Sequence, residues 1–124
     1  MLRQSGFTLI EVLVAMAIVA ISLAAVSRAA IGAIDTSANL KSRVIADWVA
    51  QNRLESHQAK HDWLAPGVLK GEETQAGVLM LWKEKISDTP NPAFRKVVVE
   101  VYAADDKTYV LRRLVGFLAN PPRQ

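Results

Sequence analysis

Phe7 to Ser27 is a run of 21 residues that contains a single charge, Glu11. Nothing else in the chain limits its fold as strongly. A helix rises about 1.5 Å per residue, so a run of this length matches the roughly 30 Å hydrocarbon core of a bilayer. A lone acid inside such a run is costly, and its presence points to a function. A secretory signal would be cut after its apolar core, and small residues between Ser22 and Ala30 would permit that. Glu11 near the start of the run favours the alternative, in which cleavage precedes the run and the helix stays in the mature chain. Charge does not settle the orientation, because Arg3 precedes the run while Arg28, Lys41 and Arg43 follow soon after it.

The whole chain has 124 residues, enough for one modest globular domain beyond the apolar run. Its net charge of +3 is spread along the sequence and lacks the clustered Lys and Arg of a nucleic-acid footprint. There is no cysteine, so disulfides, thiol nucleophiles and Cys-ligated metals are absent.

Residues 1–6 read as a polar leader that ends in the small, flexible pair Ser5-Gly6. From Phe7 to about Gln58 the pattern is one long helix without proline, whose single glycine, Gly32, allows a gentle break. Residues 7–33 form its transmembrane part. Beyond them Ile34, Ala38, Leu40, Val44, Ile45, Trp48, Val49 and Asn52 recur at three- and four-residue spacing, which makes the helix one-sided. Its apolar side calls for a sheet built from the rest of residues 34–120. Ala59 to Gly77 reads as a loop, with a turn at Pro66-Gly67 and with Trp63 and Leu64 packing back on the helix. Three strands are expected, at 78–86, 95–102 and 109–115. In the first, Val78, Met80, Trp82 and Ile86 share one face. In the last, Val110, Arg112 and Leu114 share one face, opposite Tyr109, Leu111, Arg113 and Val115. The tight turn at Asp105-Asp106-Lys107 makes the last two strands a hairpin. Residues 121–124 form a loose tail. The fold class is α+β: a long N-terminal helix, transmembrane then amphipathic, on a small antiparallel sheet.

Gly6-Phe7-Thr8-Leu9-Ile10-Glu11 resembles the processing site of type IV pilin-like precursors, and the fold read above resembles the pilin fold. On the helix, Ala46-Asp47-Trp48-Val49-Ala50-Gln51-Asn52-Arg53-Leu54-Glu55 resembles the I-type minor pseudopilins of type II secretion systems. So do Arg95 to Val101 and Leu114-Val115-Gly116. The resemblance implies cleavage between Gly6 and Phe7 by a prepilin peptidase and N-methylation of Phe7. It also implies a single-pass protein of the bacterial inner membrane, with a cytoplasmic N-terminus before processing and a periplasmic globular domain. The implied partners are the J-, K- and H-type minor pseudopilins, in a tip complex that primes the pseudopilus for export of folded proteins. The implied role is structural, with no catalytic residue and no cofactor. Two alternatives stand beside it: a minor pilin of a type IV pilus, which shares every N-terminal feature, and a single-span anchored periplasmic binding module with an ordinary signal anchor.

Within that frame Glu11 is an assembly residue, since a carboxylate in lipid seeks a cation and the amine of a neighbouring Phe7 is one. The small residues of the run, such as Ala17, Ala20 and Ala24, suit close helix packing. Trp48, with Ile45, Val49 and Asn52, reads as core, or else as an interface with a partner helix. His57 and His61 stand four apart but lack a third ligand, so they read as a solvated helix end and not as a metal site. Asp105-Asp106 falls short of a calcium cage and is explained as turn chemistry.

Overall fold

A computed structural model describes residues 5–122; the first four residues of the expected leader and the last two of the expected tail lie outside this range. The contacts divide the chain into two compact units, with the boundary between Ala38 and Asn39.

One helix, α1 (Leu9–Ala59), contributes to both units. It starts at Thr8, whose hydroxyl accepts the Glu11 N–H at 3.2 Å, an N-cap bond that satisfies one orphan donor of the first turn. Alanine, the strongest helix former, is its commonest residue, and it runs through Gly32 without interruption. Ser22 and Thr36 turn their hydroxyls back onto the carbonyls of Ile18 and Gly32, so neither competes with the helix ladder. Throughout the first unit the large apolar side chains are exposed, from Leu9 to Ile34.

In the second unit, α1 from Asn39 onward covers one face of a four-stranded antiparallel meander: β1 (Gly67–Gln75), β2 (Val78–Asp88), β3 (Phe94–Ala103) and β4 (Asp106–Ala119), in spatial order β1-β2-β3-β4. This is the expected α+β, pilin-like architecture. Ile45, Ala46, Val49 and Ala50 form the buried stripe of the helix, and the two alanines let it approach the sheet closely. Met80 and Ile86 of β2, Val97, Val99 and Val101 of β3, and Leu118 of β4 complete the core. Trp63 and Leu64 pack against it, as their sequence suggests.

Two features of the sheet correct the sequence reading. The segment expected to be part of a loop contains β1, a full edge strand that pairs with β2 from Gly67↔Ile86 to Gln75↔Val78. Its composition is polar because an edge strand with lysine and glutamate resists pairing with other chains. A two-residue turn closes it, with Ala76 at φ 50° and Gly77 at φ 75°, both in the left-handed region that such hairpin turns require. The Trp82 ring lies against the Gly71 backbone, so a Cβ at Gly71 would stand 2.3 Å from that ring.

The second correction concerns β4. Its register against β3 shifts next to Tyr102, where Val101 pairs with Arg112 but Tyr102 pairs with Val110. Leu111 is the extra residue of this bulge, and strict alternation therefore fails across it. On one side of the bulge Tyr109 meets Arg43 of the helix and Leu111 packs on the core. On the other side Leu114, Gly116 and Leu118 face the helix. Arg112 also reaches the helix, with Nε 2.6 Å from Asp47 Oδ1. That oxygen receives no aligned N–H, so the contact is one of charge rather than a hydrogen bond.

Candidate functional site

The first unit holds the N-terminal motif. Residues 5–8 are non-helical and exposed. A Cβ at Gly6 would meet nothing within 4 Å, so packing within this chain does not require glycine there. Phe7 is 84% exposed. Thr8 and Glu11 carry the spacing of a capping box, a signal that the sequence analysis passed over. Half of that box is formed. The Thr8 hydroxyl caps the Glu11 N–H, while the Glu11 carboxylate has no hydrogen-bond or ion-pair partner among the described residues. A negative charge in the first turn is favourable against the helix dipole. Even so, the carboxylate stands exposed among Leu9, Ile10, Val12 and Val14, all exposed as well. By length and composition this is a helix that can cross a membrane.

The second unit places the remaining residues. Trp48 is not core: 47% of its surface is exposed, against 0% for the adjacent Val49. It stands with Leu40 and Val44, both exposed, at four-residue spacing on the side of the helix away from the buried stripe. The alternation of apolar residues on both helix faces hid which of them the sheet would cover. Asn52 is exposed, and its Nδ2 donates to Gln75 Oε1 at 3.4 Å, so it reaches a side chain at the end of β1 rather than sheet backbone.

His57 also departs from expectation, since it is buried instead of solvated. Its Nε2 lies 3.0 Å from Oε2 of Glu84, which is completely buried, and its Nδ1 lies 2.8 Å from Asp62 Oδ2. Each ring nitrogen thus has a carboxylate oxygen within hydrogen-bond distance. The other Glu84 oxygen accepts from Arg53 Nε at 2.7 Å. The Arg53 guanidinium in turn stacks on Trp82, with Cζ 3.8 Å from the ring centroid. The helix end makes this cluster possible. His61 adopts φ 53°, and the N–H groups of Asp62 and His61 donate to the carbonyls of His57 and Gln58. This is a Schellman cap, which bends the chain so that Asp62 returns to the His57 ring. His61 itself is exposed. Among the described residues no group of three or more His, Cys, Asp or Glu is placed to hold a metal ion. The inward parity of Glu84, between Trp82 and Ile86, was the available sign that a buried acid would need cations.

Two further acids are tuned by their neighbours. The Tyr102 hydroxyl donates to Glu100 and holds that carboxyl below its ordinary value; burial opposes this and Arg113 adds to it. The same bond raises the Tyr102 phenol. Asp106 is lowered by the hydroxyl and then the backbone N–H of Thr108, an Asx-type turn that opens β4.

The family profile described as type II secretion system (T2SS), protein I matches residues 40–119. The chain belongs to the type II secretion system protein I family. This is the I-type minor pseudopilin family that the helix and sheet signatures resemble. The profile of the prokaryotic N-terminal methylation motif matches residues 1–27 of the same chain. Type II secretion system protein I of Pseudomonas aeruginosa is 34% identical, over 98% of this chain and 100% of that protein. Its counterpart in Pectobacterium carotovorum subsp. carotovorum is 31% identical over 91% of this chain and 100% of its own length. Among solved structures, a chain of the GspK-GspI-GspJ complex from the enterotoxigenic Escherichia coli type 2 secretion system matches with a TM-score of 0.53. That match has 22% identity and covers 65% of this chain and 96% of the other, which supports the fold of this type II secretion system protein I.

Proposed function

We propose that this minor pseudopilin is cut between Gly6 and Phe7 by a prepilin peptidase, methylated at Phe7 and kept in the inner membrane by the apolar part of α1. The globular unit then stands in the periplasm. There the chain acts as a structural subunit, joining J- and K-type minor pseudopilins, with the H type, in a tip complex that primes the pseudopilus. The observation that carries this proposal is the exposed, unpartnered carboxylate of Glu11 in an otherwise apolar helix surface. In a low-dielectric setting such a charge costs several kcal/mol until a cation meets it. Among the described residues none is offered, so the cation comes from a neighbouring subunit, and its amine terminus at Phe7 is suitably placed in the chain to serve. The exposed stripe Leu40, Val44 and Trp48 adds a second contact, an apolar helix face suited to a partner helix.

Intact-mass measurement of the mature protein tests the processing step: loss of residues 1–6 with gain of one methyl group is expected. Glu11→Ala tests assembly. It is expected to leave the unfolding of the globular unit unchanged and to abolish secretion; normal secretion by that variant would remove Glu11 from the mechanism.

A further inference from the structure

The sheet has a second face, turned away from α1 of the same unit, which no other element among the described residues covers. The strand register sets its side chains in rows. Lys70, Lys83, Glu100 and Arg113 form one row, Val68, Lys85, Val98 and Val115 the next, and Lys96 with Phe117 lie beyond. On the other side of the first row stand Glu72, Leu81, Tyr102 and Val110. These rows hold five cations against two acids. The surplus of three equals the formal net charge of the entire chain, so the rest of the molecule is close to neutral while this face is basic.

Folding alone does not favour the arrangement. Lys70 and Lys83 are direct cross-strand partners, and like charges in that position destabilise a sheet. Among the described residues, Lys70, Lys83, Lys85 and Lys96 make no ion pair. Apolar groups lie among these cations: Val115 is 47% exposed and Phe117 54%. Phe117 and Phe94 flank a shallow apolar depression with Pro90.

We propose that this outer sheet face docks a protein partner whose surface presents carboxylates around an aliphatic or aromatic centre. A purely charged polyanion would pair with the lysines but leave Val115 and Phe117 in water, whereas an acidic protein surface with an apolar centre satisfies both features. Four strands about 4.8 Å apart and four rows of side chains give a face of roughly 300 Å². An interface of that size is transient and sensitive to salt. The site is separate from the Leu40–Val44–Trp48 stripe and does not depend on the subunit pairing proposed above.

The test uses the full chain in its own secreting bacterium, with p-benzoylphenylalanine replacing Phe117 in one strain and Val44 in another. Irradiation is expected to link position 117 to a protein segment of net negative charge. The combined change Lys83→Glu, Lys85→Glu and Lys96→Glu is expected to reduce that adduct at least fivefold while leaving the adduct at position 44 intact. Should the reversal remove both adducts, the milder Lys→Gln set at the same positions is held to the same fivefold standard. The proposal is overturned by an adduct that survives both sets of changes, by a linked segment that is neutral or basic, by a phospholipid adduct, or by no adduct at position 117 while position 44 yields one.

Discussion

Glu11 in the first unit and Glu84 in the second are both carboxylates set among apolar side chains, and the chain provides for them in opposite ways. Glu84 is fully buried beside Val99 and Leu69, its cross-strand partners, and the fold brings it Arg53 and His57. Its charge is met entirely from within the second unit. Glu11 has no such partner among the described residues, and the residues around it are apolar and exposed. One acid is neutralised by its own fold, and the other has no cation among the described residues. The difference shows how to separate folding from assembly in a small membrane-anchored subunit: find which charges the fold neutralises and which it leaves open.

The sharpest way to break this comparison is to remove the carboxylate that the fold does satisfy. Glu84→Ala leaves Arg53 and His57 facing each other across an apolar gap without their common acceptor. Breaking a buried pair in this way costs about 3–5 kcal/mol. Thermal unfolding of the purified chain is expected to show that loss, whereas Glu11→Ala is expected to move the same transition by no more than about 0.5 kcal/mol. An unfolding transition that Glu84→Ala leaves in place would mean that the cluster does not hold helix to sheet.

The second-largest effect sharpens how Glu84 is held. Trp82 lies against Gly71 and carries Arg53 on its ring, so a methyl group at Gly71 displaces the ring and the guanidinium that depends on it. Gly71→Ala is expected to cost about 1–3 kcal/mol, the usual range for overpacking. The double variant Gly71→Ala/Trp82→Leu should recover part of that cost in denaturant unfolding. If it does not, the glycine is needed for backbone reasons and not for the ring.

Much of this was legible in the residues. The continuous helix follows from a 51-residue stretch without proline, and the inward face of β2 and β3 follows from plain alternation. The N-terminal motif was visible as a pattern of six residues. What stayed hidden has physical causes. β1 looks like a loop because edge strands are polar and because Gly71 is there to seat an indole from the next strand, which no local pattern reveals. The face assignment of β4 fails at Leu111, because a bulge resets the period by one residue and leaves no trace in composition. His57 looked solvated because its partners are distant in sequence or lie beyond a cap. Trp48 looked like core because a large aromatic at helical spacing does not say which side of the helix the sheet will cover.

Trp48 gives the third test, which turns on the outer side of the helix. A half-exposed ring contributes little to its own fold, so Trp48→Ala is expected to cost less than about 1 kcal/mol in unfolding. Co-purification with the proposed J- and K-type partners should fall several-fold, since exposed aromatics concentrate binding energy at interfaces. Intact co-purification together with a large stability loss would return Trp48 to the core.

Glu100 stands between the two extremes, half-buried on the open face of the sheet, and it yields the smallest effect. Its carboxyl is held below the ordinary 4.5, first by the Tyr102 hydroxyl, with burial opposing and with Arg113 and Lys83 assisting. A carboxyl lowered on folding adds stability that is fully present above the unfolded value and disappears as pH falls through the folded one. Tyr102→Phe removes the leading cause. The expected loss at neutral pH is about 1 kcal/mol or less, the net worth of one hydrogen bond. The more telling readout is the slope: below about pH 4.5 the stability of the variant should fall less steeply than that of the parent chain. Equal acid slopes in the two proteins would show that Arg113 and Lys83 suffice to hold the charge. Glu100 would then resemble Glu84, an acid satisfied by cations of the fold, and would leave Glu11 alone among the three without a cation among the described residues.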